Sequence, residues 1–103
     1  MLTEMRYFDS EIQGKKEVLV VFYADWCGFC ARFCPEFKDV GRGCKTECVM
    51  VDISNEDDPV WEKYRIEVVP TIMLFRNGSV VGRKSGPMER SDLEKFMRKY
   101  RLG

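Results

Sequence analysis

The sequence contains no histidine among its 103 residues. This absence removes the side chain that most often serves as a general base, and it excludes both a Cys/His nucleophile pair and the usual nitrogen ligand of zinc. An excess of either charge is absent too, because 17 basic residues balance 17 acidic ones. No long-range field therefore attracts nucleic acid or anionic lipid, and we expect neither nucleic acid nor a membrane as a partner.

Long apolar segments are also missing. The longest apolar run, 18–24, is far too short to cross a bilayer, and residues 1–13 contain acids but no signal-peptide core. We therefore expect a cytoplasmic protein. The apolar fraction of 45% and the charged fraction of 33% are typical of a globular chain. At this length we expect one domain over residues 1–103, and a monomer.

Five cysteines are present in the chain. Without an export signal, they indicate redox chemistry or metal binding rather than a structural disulfide framework, which is typical of secreted domains. The odd number leaves at least one thiol unpaired.

The hydrophobic pattern alternates between strand and helix periodicity. Thr3 fits the N-cap of a first helix, and Asn77-Gly78 is the strongest short signal for a β-hairpin. A helix between the first two strands predicts a right-handed parallel crossover, and the hairpin adds an antiparallel strand. We expect an α/β fold with a mixed four-stranded sheet and helices on both faces. The predicted order is α-β-α-β-α-β-β-α, with helix 4–13, strand 18–23, helix 28–40, strand 48–53, helix 58–66, strands 71–75 and 79–83, and a last helix capped by Ser91 and Glu94.

Cys27 and Cys30 stand where the central strand meets the second helix. Two residues three apart at a helix start lie on one face, close enough to form a disulfide. Free N–H groups and the positive end of the helix dipole favour a thiolate at Cys27, which we interpret as the nucleophile. Cys30 lies one turn further in, where it can attack a mixed disulfide between Cys27 and a substrate. We interpret it as the resolving thiol.

Two other interpretations of this cysteine pair are half of a zinc site and a pair of inert core thiols. Zinc needs two more ligands, and the sequence offers neither a second CxxC nor a histidine. Redox chemistry is therefore favoured, and because dithiol exchange needs only the two sulfurs, we expect no cofactor and no metal. Trp26, beside the pair, either packs in the core or faces the substrate.

Four segments match successive signatures of one family. They are 22–30 (FYADWCGFC), 68–71 (VVPT), 75–78 (FRNG) and Gly86. In this order and spacing they resemble the thioredoxin family, and the resemblance covers nearly the whole chain. It implies a thioredoxin fold and a thiol–disulfide oxidoreductase that reduces protein disulfides. The implied partners are disulfide-containing proteins and an upstream dithiol reductase.

The resemblance also implies a substrate groove beside the two cysteines. The peptide bond between Val69 and Pro70 is expected to be cis and to pack against the disulfide, with the backbone of Val69 pairing with an extended substrate. The residues that the resemblance assigns to the groove are Trp26, Gly28, Phe29, Val69, Pro70 and Gly86.

Three features depart from the family pattern. The family's buried acid, six residues before the first cysteine, is Val21 here, and the lysine that commonly partners it aligns with Met50. The dipeptide between the cysteines is Gly-Phe rather than Gly-Pro or Gly-His, so the reduction potential of neither subfamily transfers to this pair. The family's first edge strand has no counterpart beyond Met1-Leu2, which predicts the four-stranded sheet.

The remaining cysteines leave alternatives open. Cys34 follows Cys30 by four residues, so we expect it on the same buried helix face as an apolar core residue. Cys44 and Cys48 can close a small loop, bind a metal weakly or stay as separate thiols. Alternative functions are a disulfide oxidase or isomerase, a binding module that uses the groove without turnover, and a metal carrier using Cys34, Cys44 and Cys48.

Overall fold

Residues 2–5 and 15–102 are described by the computed structural model. Within them, one five-stranded sheet is flanked by helices on both faces. None of the helices in this part of the chain is long and apolar enough to cross a membrane. The elements, in chain order, are β1 (Leu2–Met5), β2 (Glu17–Tyr23), α1 (Gly28–Gly43), β3 (Glu47–Asp52), α2 (Val60–Lys63), β4 (Thr71–Arg76), β5 (Ser79–Ser85) and α3 (Arg90–Lys99).

The strand order in the sheet is β1-β3-β2-β4-β5. Strand β3 runs parallel to β2, with α1 as the crossover between them, and β4 is antiparallel to both β2 and β5. Asn77 and Gly78 connect β4 to β5 with φ angles of 53° and 82°, and a type I′ turn requires positive φ at both positions. The predicted crossover, hairpin and central position of β2 are confirmed.

The N-terminus differs from the prediction. Leu2–Met5 form the edge strand β1, in parallel register with β3 from Leu2 opposite Cys48 to Met5 opposite Val51. The predicted helix from residue 4, the element order that began with it and the four-stranded sheet were therefore wrong. Thr3 has a local helix-capping signal, but pairing with β3 is a non-local interaction that overrides such propensities. The rest of the predicted helix, 6–13, lies outside the described residues.

Three helices also have ends elsewhere than predicted. Helix α2 spans only Val60–Lys63, whereas the sequence predicted a helix over 58–66. Helix α1 continues to Gly43 rather than ending near 40. Helix α3 begins at Arg90, because Glu89 and Asp92 form a reciprocal capping box in which the Glu89 N–H donates to Asp92 Oδ2 at 2.8 Å. The capping box predicted at Ser91 was therefore wrong by two residues. Glu89–Asp92 and Ser91–Glu94 have the same spacing, and only the folded backbone shows which pair caps the helix.

Strand β2 is buried on both faces, as its apolar run predicted. One face packs with α2, through a cluster that includes Val20, Phe22 and Val60. The other face packs with α1 and α3, and the members of this second cluster include Leu19, Val21, Phe33, Phe37, Leu93 and Phe96. Because β2 is fixed from both sides, the turn that follows it places the start of α1 in a defined position.

Candidate active site at the start of helix α1

Cys27 is the N-cap residue of α1, four residues after β2 ends at Tyr23. Its Sγ accepts a hydrogen bond from the Cys30 N–H at 3.2 Å and donates one to the carbonyl of Val69 at 3.3 Å. The N–H groups of a helix start carry partial positive charge, which favours an anion at this position. A thiolate at Cys27 keeps the bond from Cys30 and gives up only the bond to Val69.

Cys30 is enclosed more completely than Cys27. The exposed fraction is 1% for Cys30 and 8% for Cys27. Both residues are buried, but Cys27 keeps a small area in contact with solvent. Burial, followed by the hydrogen bond with Cys27, raises the pKa of Cys30 to about 12. Cys30 therefore keeps its proton at neutral pH, and the two sulfurs have different surroundings, as the sequence predicted.

The loop before β4 forms one wall beside Cys27. The peptide bond between Val69 and Pro70 is cis, as the family resemblance implied. The carbonyl of Pro70 accepts a hydrogen bond from the N–H of Gly86 at 2.9 Å, and Gly86 has a φ of 95°, which favours glycine. Val68 is exposed next to this loop, and its carbonyl accepts a hydrogen bond from Thr71 Oγ1 at 2.7 Å. Sequence reasoning did not assign Val68 to the groove, although it stands within the matched segment 68–71.

The side chain of Trp26 lies at the surface rather than in the core. Its side chain is 53% exposed, so the core interpretation of this residue was wrong. The indole N–H donates to the carbonyl of Ser54 at 2.9 Å, and the ring stacks on Trp61 with centroids 6.2 Å apart and planes at 10°. Ser54 and Trp61, which sequence reasoning missed as positioning residues, hold an exposed aromatic surface beside Cys27. Their long separation from Trp26 in sequence left no local signal.

Phe29, the residue that distinguishes this CxxC, is also exposed. The guanidinium of Arg32 lies over its ring, 5.3 Å from the centroid. Both residues line a cavity of about 550 Å³ that continues between α1 and the segment around Met88 and Arg90. The structure therefore brings Trp26, Phe29, Val69, Pro70 and the two cysteines to one end of the sheet, with Gly86 behind the Val69 loop.

The position of the family's buried acid is apolar. Val21 and Met50 are opposite each other in the parallel register of β2 and β3, and both are buried. The buried polar side chains in the described part of the chain, the thiols aside, are Thr46 and Thr71. No carboxylate within residues 2–5 and 15–102 is thus buried beneath the dithiol, as the sequence comparison with the family predicted.

Cys34 is only half-buried, whereas the sequence predicted a core position. Together with Cys27, Cys30 and Asp25 it lines a smaller cavity of about 160 Å³. Burial raises the pKa of Cys34 to about 11. It lies on the same helix face as Cys30 because residues four apart are neighbours on a helix.

The metal-carrier alternative required Cys34, Cys44 and Cys48 to meet. Among the residues that the structure describes, no group of three or more Cys, Asp or Glu side chains is arranged to hold a metal ion. Cys44 and Cys48 lie instead at the far end of α1, away from Cys34.

Comparison with known proteins agrees with this architecture. The model of the thioredoxin family matches residues 1–99 of this chain. The thioredoxin of Buchnera aphidicola subsp. Baizongia pistaciae is 31% identical over 100 residues, covering 96% of this chain and 92% of that protein. The thioredoxin of Pseudomonas aeruginosa is 31% identical over 99 residues, covering 93% of this chain and 90% of that protein. A solved structure of reduced Schistosoma mansoni thioredoxin pre-protein has a TM-score of 0.80 at 28% identity, covering 96% of this chain and 97% of that chain. The chain therefore has the thioredoxin fold and belongs to the thioredoxin family.

Proposed function

We propose that this thioredoxin-family disulfide oxidoreductase works as a reductase of protein disulfides, with Cys27 as the nucleophile and Cys30 as the resolving thiol. The Cys27 thiolate attacks one sulfur of the substrate disulfide, the substrate S–S bond breaks, and the first substrate sulfur leaves as a thiolate that takes up a proton. Cys30 then loses its proton and attacks Cys27 Sγ. The mixed disulfide breaks, the second substrate thiol leaves, and two electrons have passed to the substrate.

The observation that carries this assignment is the asymmetry between the two sulfurs. Cys27 Sγ accepts the N–H of Cys30 at the helix start, where negative charge is stabilised. Cys30 is buried, and its pKa of about 12 keeps it protonated while Cys27 reacts with the substrate. An exchange catalyst needs one thiol that reacts first and one that waits.

The surfaces beside Cys27 support a role in holding the substrate chain. The carbonyl of Val69 already accepts a hydrogen bond from Cys27 Sγ, so it faces the reacting sulfur. When Cys27 ionises or enters a mixed disulfide, this carbonyl loses its donor and can accept an N–H from an extended substrate. We assign Trp26, Gly28, Phe29, Pro70 and Gly86 to the walls of the same groove.

The catalytic cycle closes when another dithiol reduces the Cys27–Cys30 disulfide. We propose that an upstream dithiol reductase supplies these electrons and that the protein works in the cytoplasm, because a net reductase needs a compartment in which thiols are kept reduced. We further propose that residues 1–103 form a single domain that acts as a monomer, since all described strands belong to one sheet.

Turnover and trapping test this function together. The protein should catalyse reduction of insulin disulfides by dithiothreitol, and both Cys27→Ser and Cys30→Ser should abolish catalysis. Cys30→Ser should accumulate a mixed disulfide on Cys27, whereas Cys27→Ser should trap nothing. Cys34→Ser is the matched control, because it removes a third thiol from the same cavity and should leave turnover intact.

Alkylation rates test the roles before any substrate is added. Iodoacetamide at neutral pH should modify Cys27 faster than Cys30. Equal rates would contradict the role assignment, and groove binding without turnover would favour a binding module.

A further inference from the structure

A second pair of thiols lies at the opposite end of α1 from the active site. Cys44 is the residue that follows the helix, where its N–H donates to the carbonyl of Gly41 at 3.4 Å. Cys48 lies four residues after Cys44, in β3, where it is in register with Leu2 of β1. Helix α1 has 16 residues, so about 24 Å separates this pair from Cys27.

The two thiols of this pair are neighbours. Burial, followed by the adjacent thiol of Cys44, raises the pKa of Cys48 to about 12, and Cys48 Sγ donates to the carbonyl of Thr46 at 3.6 Å. Both side chains belong to the same apolar cluster, with exposed fractions of 7% for Cys44 and 1% for Cys48. Cys44 is therefore slightly exposed and Cys48 is enclosed, a difference in exposure similar to that between Cys27 and Cys30.

Local packing leaves space for the inner sulfur. A Cβ at Gly41 would lie 3.2 Å from Cys48 Cβ and 3.6 Å from Cys48 Sγ, so a larger residue there would press on the thiol. Single buried cysteines usually serve as small apolar core residues. Cys44 and Cys48 are instead neighbours separated by only three residues in sequence, and a disulfide between them requires Cα atoms about 4.4–6.8 Å apart.

We infer that Cys44 and Cys48 form a second redox site, which hydrogen peroxide oxidises to an intramolecular disulfide. A small oxidant is required because Cys44 is only slightly exposed. The thiolate of Cys44 attacks one peroxide oxygen, the O–O bond breaks, and the hydroxide that leaves is protonated to water. Cys48 then attacks the sulfenic sulfur of Cys44, the S–O bond breaks, and the departing hydroxide takes the Cys48 proton. Two thiols and one peroxide give one disulfide and two waters.

Tryptic mapping of the wild-type protein can read each thiol separately. Cleavage after lysine and arginine places Cys27 and Cys30 together on peptide 17–32, Cys34 on 33–38, Cys44 on 43–45 and Cys48 on 46–63. The reduced protein is treated with hydrogen peroxide, remaining thiols are blocked, and the digest is analysed without reduction. We expect peptides 43–45 and 46–63 joined by a disulfide that disappears on reduction, in addition to a disulfide within 17–32.

Two variants separate this site from the active site. Cys44→Ser should eliminate the link between 43–45 and 46–63 while the disulfide within 17–32 still forms. Cys48→Ser should leave a sulfenic acid on Cys44 that dimedone traps. The inference is overturned if both cysteines stay unmodified in the folded wild-type protein and become linked only in urea. It is also overturned if peroxide joins Cys44 to another chain. Neither outcome bears on the reductase activity proposed for Cys27 and Cys30.

Discussion

The pH dependence of the resolving step is the sharpest consequence of the active-site geometry. Cys30 has a pKa of about 12, chiefly because it is buried, and the structure places no buried carboxylate beside it within the described residues. At pH 7, a thiol with that pKa is ionised to a fraction of about 10⁻⁵. In a mixed disulfide, Cys27 no longer contributes its hydrogen bond or charge, but burial still holds the pKa of Cys30 above the ordinary value of 9.0. The reactive fraction at pH 7 then lies between about 10⁻² and about 10⁻⁵.

The assay uses a mixed disulfide between Cys27 and a coloured thiol, such as 5-thio-2-nitrobenzoate. Release of the coloured thiol by Cys30 is followed by stopped flow between pH 6 and pH 9, roughly the range below the thiol pKa. We expect the rate to rise about tenfold per pH unit with no plateau, since only the thiolate attacks. Cys30→Ser should release nothing, and Cys34→Ser should leave the profile unchanged, which identifies the attacking sulfur. A plateau below pH 8 would refute the reasoning, because it would reveal another group that accepts the proton.

Position 21 offers a matched pair of variants for the same assay. Val21→Asp restores a carboxyl between Met50 and Ile72, its register neighbours in β3 and β4. Val21→Asn has nearly the same shape and cannot take up a proton from a thiol. Both variants bury a polar group and should lose at least about 2 kcal/mol of the free energy of unfolding. Only Val21→Asp should flatten the pH profile and speed resolution near pH 7. Identical profiles in the two variants would show that position 21 does not communicate with Cys30.

Two further predictions concern stability. Gly82→Ala should lower the free energy of unfolding by about 1–3 kcal/mol, because its Cβ would lie 2.3 Å from Tyr100 Oη; Gly43→Ala, whose Cβ would meet nothing within 4 Å, should be neutral or stabilising by up to about 1 kcal/mol. Urea titration of both proteins measures the difference, and equal losses would contradict the steric argument. Burial also raises the pKa of Cys30 and Cys48 from 9.0 to about 12, so the folded reduced protein keeps protons that the unfolded chain releases. This stabilisation is fully present below pH 9 and is lost as the pH rises towards 12. Cys48→Ala should weaken that alkaline decline, and an unchanged slope of unfolding free energy against pH would argue against burial as the cause.

Local patterns in the sequence determined much of the fold. The apolar run of β2 predicted a strand covered on both faces, and Asn77-Gly78 predicted the hairpin, because positive φ at two successive positions is a strictly local demand. The positions of Cys27 and Cys30 at a strand-to-helix junction followed from the change of hydrophobic period at that point. Each of these signals lies within a few residues of what it predicts.

The tertiary structure decided everything that depends on partners distant in sequence. Edge strand β1 exists because it pairs with β3, and no pattern within Leu2–Met5 indicated that neighbour. Cys27 contacts the carbonyl of Val69, 42 residues away, and Trp26 is held by Ser54, 28 residues away. Cys44 and Cys48 belong to one apolar cluster because the chain turns after α1. Burial, which raises the pKa of Cys30, Cys34 and Cys48, is a property of the assembled core, so the sequence could place these sulfurs but not set their pKa values.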